Sequence, residues 1–172
     1  MSEQTPSTTR VDPPYVADER TMLEAWLDFH RETLLWKCEG LTDEQLTIRA
    51  AEPSSLTLLG LVRHMAEVER GWFTAFRNRP YDDWLFSTKQ DPDADFNDIS
   101  ATTVEADKDV FRRECEASRA KAAGLSLDDT ETSRRGHEMS LRWIYVHMIE
   151  EYARHNGHAD LLRERIDGAT GD

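Results

Sequence analysis

A run near the end of the chain reads His147-Met-Ile-Glu-Glu151-Tyr-Ala-Arg-His155-Asn-Gly-His158. On a helix of 3.6 residues per turn, His147, Glu151, His155 and His158 share one narrow stripe. Ile144, Met148 and Leu162 fall on the same face. A helix gains stability by turning its apolar face to the core, so this pattern aims three imidazoles and a carboxylate inward. Burying such groups is costly without a partner, and a divalent cation is a partner that satisfies all of them at once. The spacing therefore predicts a metal site in a helical protein.

A second histidine points the same way. His64 lies in Leu61-Val-Arg-His-Met-Ala-Glu67, with Gly60 one turn earlier leaving room beside the imidazole. One histidine from that helix and a Glu-x-x-x-His pair from the last give three ligands, His64, Glu151 and His155, from two elements. Two nitrogens and one oxygen suit zinc, nickel or ferrous iron and leave positions for water or substrate, as catalytic sites do. Taken alone, His64 reads better as a hydrogen-bonded core histidine than as a ligand. His158, one turn past His155, is read as a general base beside the metal, with replacement of Glu151 as third ligand the alternative. His147 sits eight residues from His155, about 12 Å along the axis, too far to share the same ion. It is read as a residue behind the ligands or at the helix-bundle end. Glu67 is read as a surface partner of Arg63 or Arg70, His30 as packing or cavity lining, and His137 as solvated. Arg154 and Arg163 are read as salt-bridged, with anion binding the alternative.

The elements that must position these groups are helices. Residues 1–16, with three Pro, form an arm that Tyr15 and Val16 anchor. From 17 to 39, Met22, Leu23, Trp26, Leu27, His30, Leu34 and Leu35 recur at helical spacing, and Gly40 ends the run. Thr42 to Leu46 resembles a short capped turn. Ser54 or Ser55 is the expected cap of a second helix running to about residue 78. Residues 80–102 show no period and carry Tyr81, Trp84 and Phe86; so long a connection implies a crossover or a lid over the metal. Val104, Val110, Phe111 and Cys115 mark a third helix over 103–124, and the fourth spans 139–166. No alternation indicates a strand. The sum is an all-α, antiparallel four-helix bundle with a long crossover loop, forming one domain over 17–172.

Composition sets outer limits. A net charge of −13 over 172 residues opposes binding to nucleic acid or an anionic membrane. Cys38 and Cys115 have no Cys-x-x-Cys spacing and read as reduced, buried thiols. With no secretion signal or membrane-length apolar run, the expected compartment is cytoplasmic.

The runs Leu58-Leu-Gly-Leu-Val-Arg-His64-Met-Ala-Glu-Val-Glu69 and Glu151-Tyr-Ala-Arg-His155-Asn-Gly-His158-Ala-Asp-Leu-Leu-Arg163-Glu164 resemble the DinB-like superfamily. Within it the chain is similar to the mini-circle-like branch of unknown function. The resemblance extends over nearly the whole chain, through the Thr42 to Leu46 turn and the Pro53-Ser-Ser-Leu56 entry. It implies a DinB/YfiT-like bundle holding a divalent metal through His64, Glu151 and His155. The Glu and His pair matches the relative that isomerises maleylpyruvate with mycothiol. Characterised relatives are thiol-dependent, so the resemblance implies mycothiol as co-substrate and an S-transferase or isomerase activity on a small molecule. The alternatives are a metal-binding dimeric module without catalysis and a metal-dependent hydrolase. Pairing through bundle faces, which the resemblance also implies, makes a homodimer the expected assembly.

Overall fold

The computed structural model describes residues 10–74, 76, 83–133 and 136–171. The protein is mostly helical, and four long helices carry the core. Helix α1, Glu19–Trp36, starts where Asp18 accepts the Thr21 N–H at 3.1 Å. It ends earlier than the periodicity suggested, because the Cys38 and Glu39 N–H groups bond three residues back, to Leu35 and Trp36, and tighten the last turn. Gly40, at φ +76°, then turns the chain. The expected capped turn is α2, Asp43–Leu46. Thr42 and Gln45 there form a reciprocal capping box, and Leu46 is fully buried.

Helix α3, Leu58–Glu69, continues as a π-helical turn over Arg70–Thr74. Its cap is Thr57, not Ser54 or Ser55: the Thr57 hydroxyl accepts the Gly60 N–H at 2.9 Å, while Ser54 spends its oxygen on the Leu56 N–H. Helix α4, Ala94–Asn97, and a 3-10 turn, Ala101–Thr103, interrupt the long connection before α5, Val104–Ala123. Two three-residue strands, β1 Thr130–Thr132 and β2 Glu138–Ser140, then pair antiparallel with Glu131 opposite Met139. No strand was expected, because three residues are too few to display a period of two. Ser140 caps α6, Leu141–Asp167.

Helix α1 packs along α6 and α3 along α5, and α3 also meets α6. Leu27 and Leu34 of α1, Leu61 and Met65 of α3, Phe111 of α5, and Ile144, Met148 and Tyr152 of α6 meet in one cluster. Each such side chain contributes about 1.5–3 kcal/mol by leaving water. Among the described residues no helix is long and apolar enough to cross a membrane.

Two expectations about the edges need correction. Tyr15 and Val16 are exposed and anchor nothing. Arg10 instead lays its guanidinium over Phe29 and Trp36, 4.9 and 4.5 Å from the ring centres. The rest of the arm, residues 1–9, and Tyr81 lie outside the described residues. Glu67 is not a surface residue: it is buried, and one oxygen accepts the N–H groups of Leu85, Phe86 and Ser87 at 2.9, 2.6 and 2.9 Å. Charge-assisted bonds of this kind offset the cost of burying a carboxylate. Arg63, also buried, donates to the carbonyls of Asp98 and Ala94 and lies over the Phe86 ring. One face of α3 thus pins both arms of the 83–100 segment, and His64 sits between the two pins.

Candidate metal centre

On α6 the buried line runs Ile144, Met148, Tyr152, Ala159, Leu162. His147, Glu151, His155 and His158 are half-buried and lie beside that line, at its border with solvent. The imidazoles therefore do not point into the middle of the core, as the sequence pattern suggested. His155 is where this border of α6 meets α3.

His64 of α3 packs against the His155 ring. Its Nδ1 lies 2.8 Å from Asp95 Oδ2, and Asp95 is almost wholly buried, with Oδ1 accepting the Phe96 N–H at 3.0 Å. A carboxylate at Nδ1 holds the proton there, which leaves the Nε2 lone pair available, the usual way a metal-binding imidazole is oriented. Phe96 packs against the His64 ring, with centroids 5.0 Å apart. The room that Gly60 was expected to leave is filled by that phenyl ring: a Cβ at position 60 would lie 2.8 Å from Phe96 Cδ1.

His155 is the hub. Its ring centre lies 4.8 Å from that of His64 and 5.3 Å from that of His158, whose Nδ1 is 3.4 Å from His155 Nδ1. Its Nε2 is 3.6 Å from Glu151 Oε2. Burial, then the positive neighbours His64, His158 and Arg154, push its pKa down to about 4. At neutral pH the ring is uncharged, the form that binds metal. The expected ligands His64, Glu151 and His155 thus meet pairwise through His155. They do not close into one tight set: among the described residues, the three ligand atoms that all lie within 4.8 Å of one another belong to His147, Glu150 and Glu151. The donor types and the Glu151–His155 spacing fit a divalent ion. The His64 arm supplies an oriented nitrogen.

Several further groups fall where chemistry predicts. Arg163 is salt-bridged to Asp167 and donates to the Lys37 and Glu39 carbonyls, satisfying the end of α1. Arg154 pairs with Glu150 and Glu151. His30 packs between Trp26 and Phe29 and meets Asn156, and burial lowers its pKa. His137 is exposed. Cys38 and Cys115 are free and buried. Burial pushes the Cys38 thiol up to about 12 and Cys115 higher still, so neither is a nucleophile near neutral pH. Asp95 is the candidate-site residue that sequence reasoning missed. It sits 31 positions from His64 within an acidic run, and nothing local separates it from Asp91, Asp93 or Asp98.

A DinB-like helical protein with a histidine and carboxylate cluster between two of its helices is the class these features define. The family model described as Mycothiol-S-transferase matches residues 22–168, and the chain belongs to that family, a DinB-like one. The match supports the DinB-like superfamily; it lends nothing to the mini-circle-like branch of unknown function. No curated protein and no solved structure matches the chain.

Proposed function

We propose that this chain is a divalent-metal-dependent mycothiol S-transferase, with His64, Glu151 and His155 as ligands and His158 as the proton-handling residue. One observation carries the reading. His155, uncharged at neutral pH, touches His64 of α3, Glu151 and His158 at once, in a chain of the mycothiol S-transferase family. A zinc, nickel or ferrous ion held there would supply positive charge that favours the thiolate form of a bound thiol. The chain's own residues do the rest. Asp95 fixes the His64 ring, and the Arg63 and Glu67 pins hold the segment that carries Asp95. His158, with a ring nitrogen facing His155, takes or returns a proton as the sulfur attacks a small electrophile. The nucleophilic sulfur comes from a co-substrate, since both cysteines of the chain are buried with raised pKa values.

In this reading the four long helices form the antiparallel DinB-like bundle of a single domain over 17–172, preceded by the arm 1–16. Two free thiols and a reduced co-substrate fit the cytoplasm, and exposed Trp26 and Trp143 fit pairing into a homodimer.

The test uses protein purified without an affinity tag. Elemental analysis should find a divalent metal in the wild type and none at the His64 site in His64→Ala or His155→Ala. Conjugation of an electrophile should require added mycothiol and disappear in both variants. Both variants retaining metal at the full wild-type stoichiometry overturns the ligand assignment. Turnover that proceeds equally without thiol overturns the transferase reading in favour of hydrolysis.

A further inference from the structure

The α6 stripe does not stop at Glu151. That carboxylate faces two ways: Oε2 lies 3.6 Å from His155 Nε2, and Oε1 lies 3.5 Å from His147 Nε2. Glu150 brings an oxygen to 3.9 Å from His147 Nδ1. His147, Glu150 and Glu151 are also the described residues whose ligand atoms all converge within 4.8 Å. Offsets of three and four residues put all three on one helix face.

His147 is also held in place. Its ring stacks on Trp143, with centroids 4.9 Å apart and planes at 12°, and Trp72 meets it edge-on at 4.5 Å. The stack covers one face of the imidazole, and the two tryptophans together restrict the plane in which its nitrogens lie. A ring locked by two tryptophans with carboxylates at its nitrogen edge is a prearranged ligand set, since little side-chain entropy remains to be lost.

We propose that His147, Glu150 and Glu151 form a second divalent-cation position, adjoining the first through the Glu151 carboxylate. The sharing of Glu151 rests on the metal reading above; the His147 position does not need it. One imidazole nitrogen and two carboxylate oxygens suit zinc, nickel or manganese. At present Arg154 neutralises the carboxylates, pairing with Glu150 and with Glu151 Oε2 at 3.7 Å. Its side chain is 54% exposed, so a dication can displace it into water with little loss of packing. With Glu150 at 47% exposure the position is more open than the one at His155, which is 12% exposed, and it binds more weakly. The eight-residue gap that keeps His147 from sharing an ion with His155 is what gives two positions instead of one.

Calorimetric titration of tag-free, metal-stripped protein with Zn²⁺ tests this. The wild type should bind two equivalents per chain, one tighter than the other. His147→Ala and Glu150→Gln should each lose the weaker equivalent and keep the tighter. His64→Ala should do the reverse. Ni²⁺ filling the weaker position should quench tryptophan emission, because Trp72 and Trp143 pack on the ligand, and Trp143→Phe should reduce that quench without changing the stoichiometry. All the substituted residues are half-buried or exposed, so the variants fold. A wild type whose single Zn²⁺ survives in His147→Ala, or a His147→Ala variant that keeps both equivalents at unchanged affinity, overturns the proposal. Loss of the weaker equivalent in His147→Ala, with His64→Ala unaltered, would sustain it while removing the reading of the first site.

Discussion

Helix α6 passes through two polar clusters less than a turn apart, at Tyr152 and at His155, and they are built on opposite principles. At Tyr152, the wholly buried Glu69 takes two bonds from Arg31 and one from the Tyr152 hydroxyl, all at 2.7 Å. Burial, joined by the neighbouring Cys115 and Glu69, holds the phenol well above its ordinary pKa, so it stays a donor. The protein meets each of these charges from within. At His155 the contacts are nitrogen to nitrogen at 3.4 Å and nitrogen to carboxylate at 3.6 Å, too long or too ill-matched for strong bonds. A saturated network specifies the packing of α1, α3 and α6. An unsaturated one leaves free energy to be gained from something added.

The largest expected effect follows from breaking the saturated side. Glu69→Gln leaves the buried Arg31 guanidinium with only the half-exposed Asp28 as counter-charge, which costs about 3 kcal/mol. Urea denaturation of metal-free protein measures it. His155→Ala, by the same measurement, should cost only about 1 kcal/mol, because no satisfied bond is lost. Equal losses in the two variants would abolish the distinction drawn between the clusters.

On the unsaturated side the next effect is at Asp95. Asp95→Asn keeps the shape but removes the charge that holds the His64 proton on Nδ1. Metal affinity should fall about 10–100-fold, measured by competition with a chelator, while the thermal midpoint of the metal-free protein barely moves. A large drop in that midpoint would make Asp95 a structural residue, like Glu67.

Gly60→Ala sharpens the same point with a smaller effect. The new Cβ would stand 2.8 Å from Phe96 Cδ1 and 3.0 Å from the Thr57 hydroxyl, so the ring that backs His64 must shift. We expect about 1–2 kcal/mol of destabilisation from overpacking, with weakened metal binding, in urea and chelator titrations of one preparation.

These expectations divide along what the chain reveals locally. The core positions of α1, α5 and α6 were legible because Leu34, Phe111, Ile144 and Met148 recur at helical spacing and end up buried. The His and Glu stripe was legible as a stripe. Its depth was not: fully buried Tyr152 centres the core face of α6 and displaces the stripe to the border, and that choice is made by Arg31 and Glu69 on other helices. Glu67 reads like any exposed helix glutamate until the N–H groups of residues 85–87 arrive from 18 or more positions away. Axial distance sets His147 apart from His155, but a carboxylate with two oxygens facing opposite ways does not appear in a spacing rule.

The smallest effect concerns the two thiols, which belong with the saturated side. Burial keeps the proton on the Cys38 sulfur to about pH 12, and the thiol donates to the Leu34 carbonyl. A folded-state pKa raised above the unfolded value of about 9 contributes stability in full below pH 9 and loses it as pH rises toward 12. By pH 9.5 ionisation in the unfolded chain alone should remove about 1 kcal/mol. Urea midpoints at pH 8 and 9.5, compared between the wild type and Cys38→Ala, isolate that loss from the titration of lysines and tyrosines, which both proteins share. The same burial makes the thiol inert to disulfide reagents at pH 8 until urea unfolds the chain. Cys115, whose Sγ lies 3.9 Å from both Glu69 Oε1 and the Tyr152 hydroxyl, should be equally inert; its rapid labelling in native Cys38→Ala would mean that this part of the core opens, and the contrast between a closed cluster at Tyr152 and an open one at His155 would lose its basis.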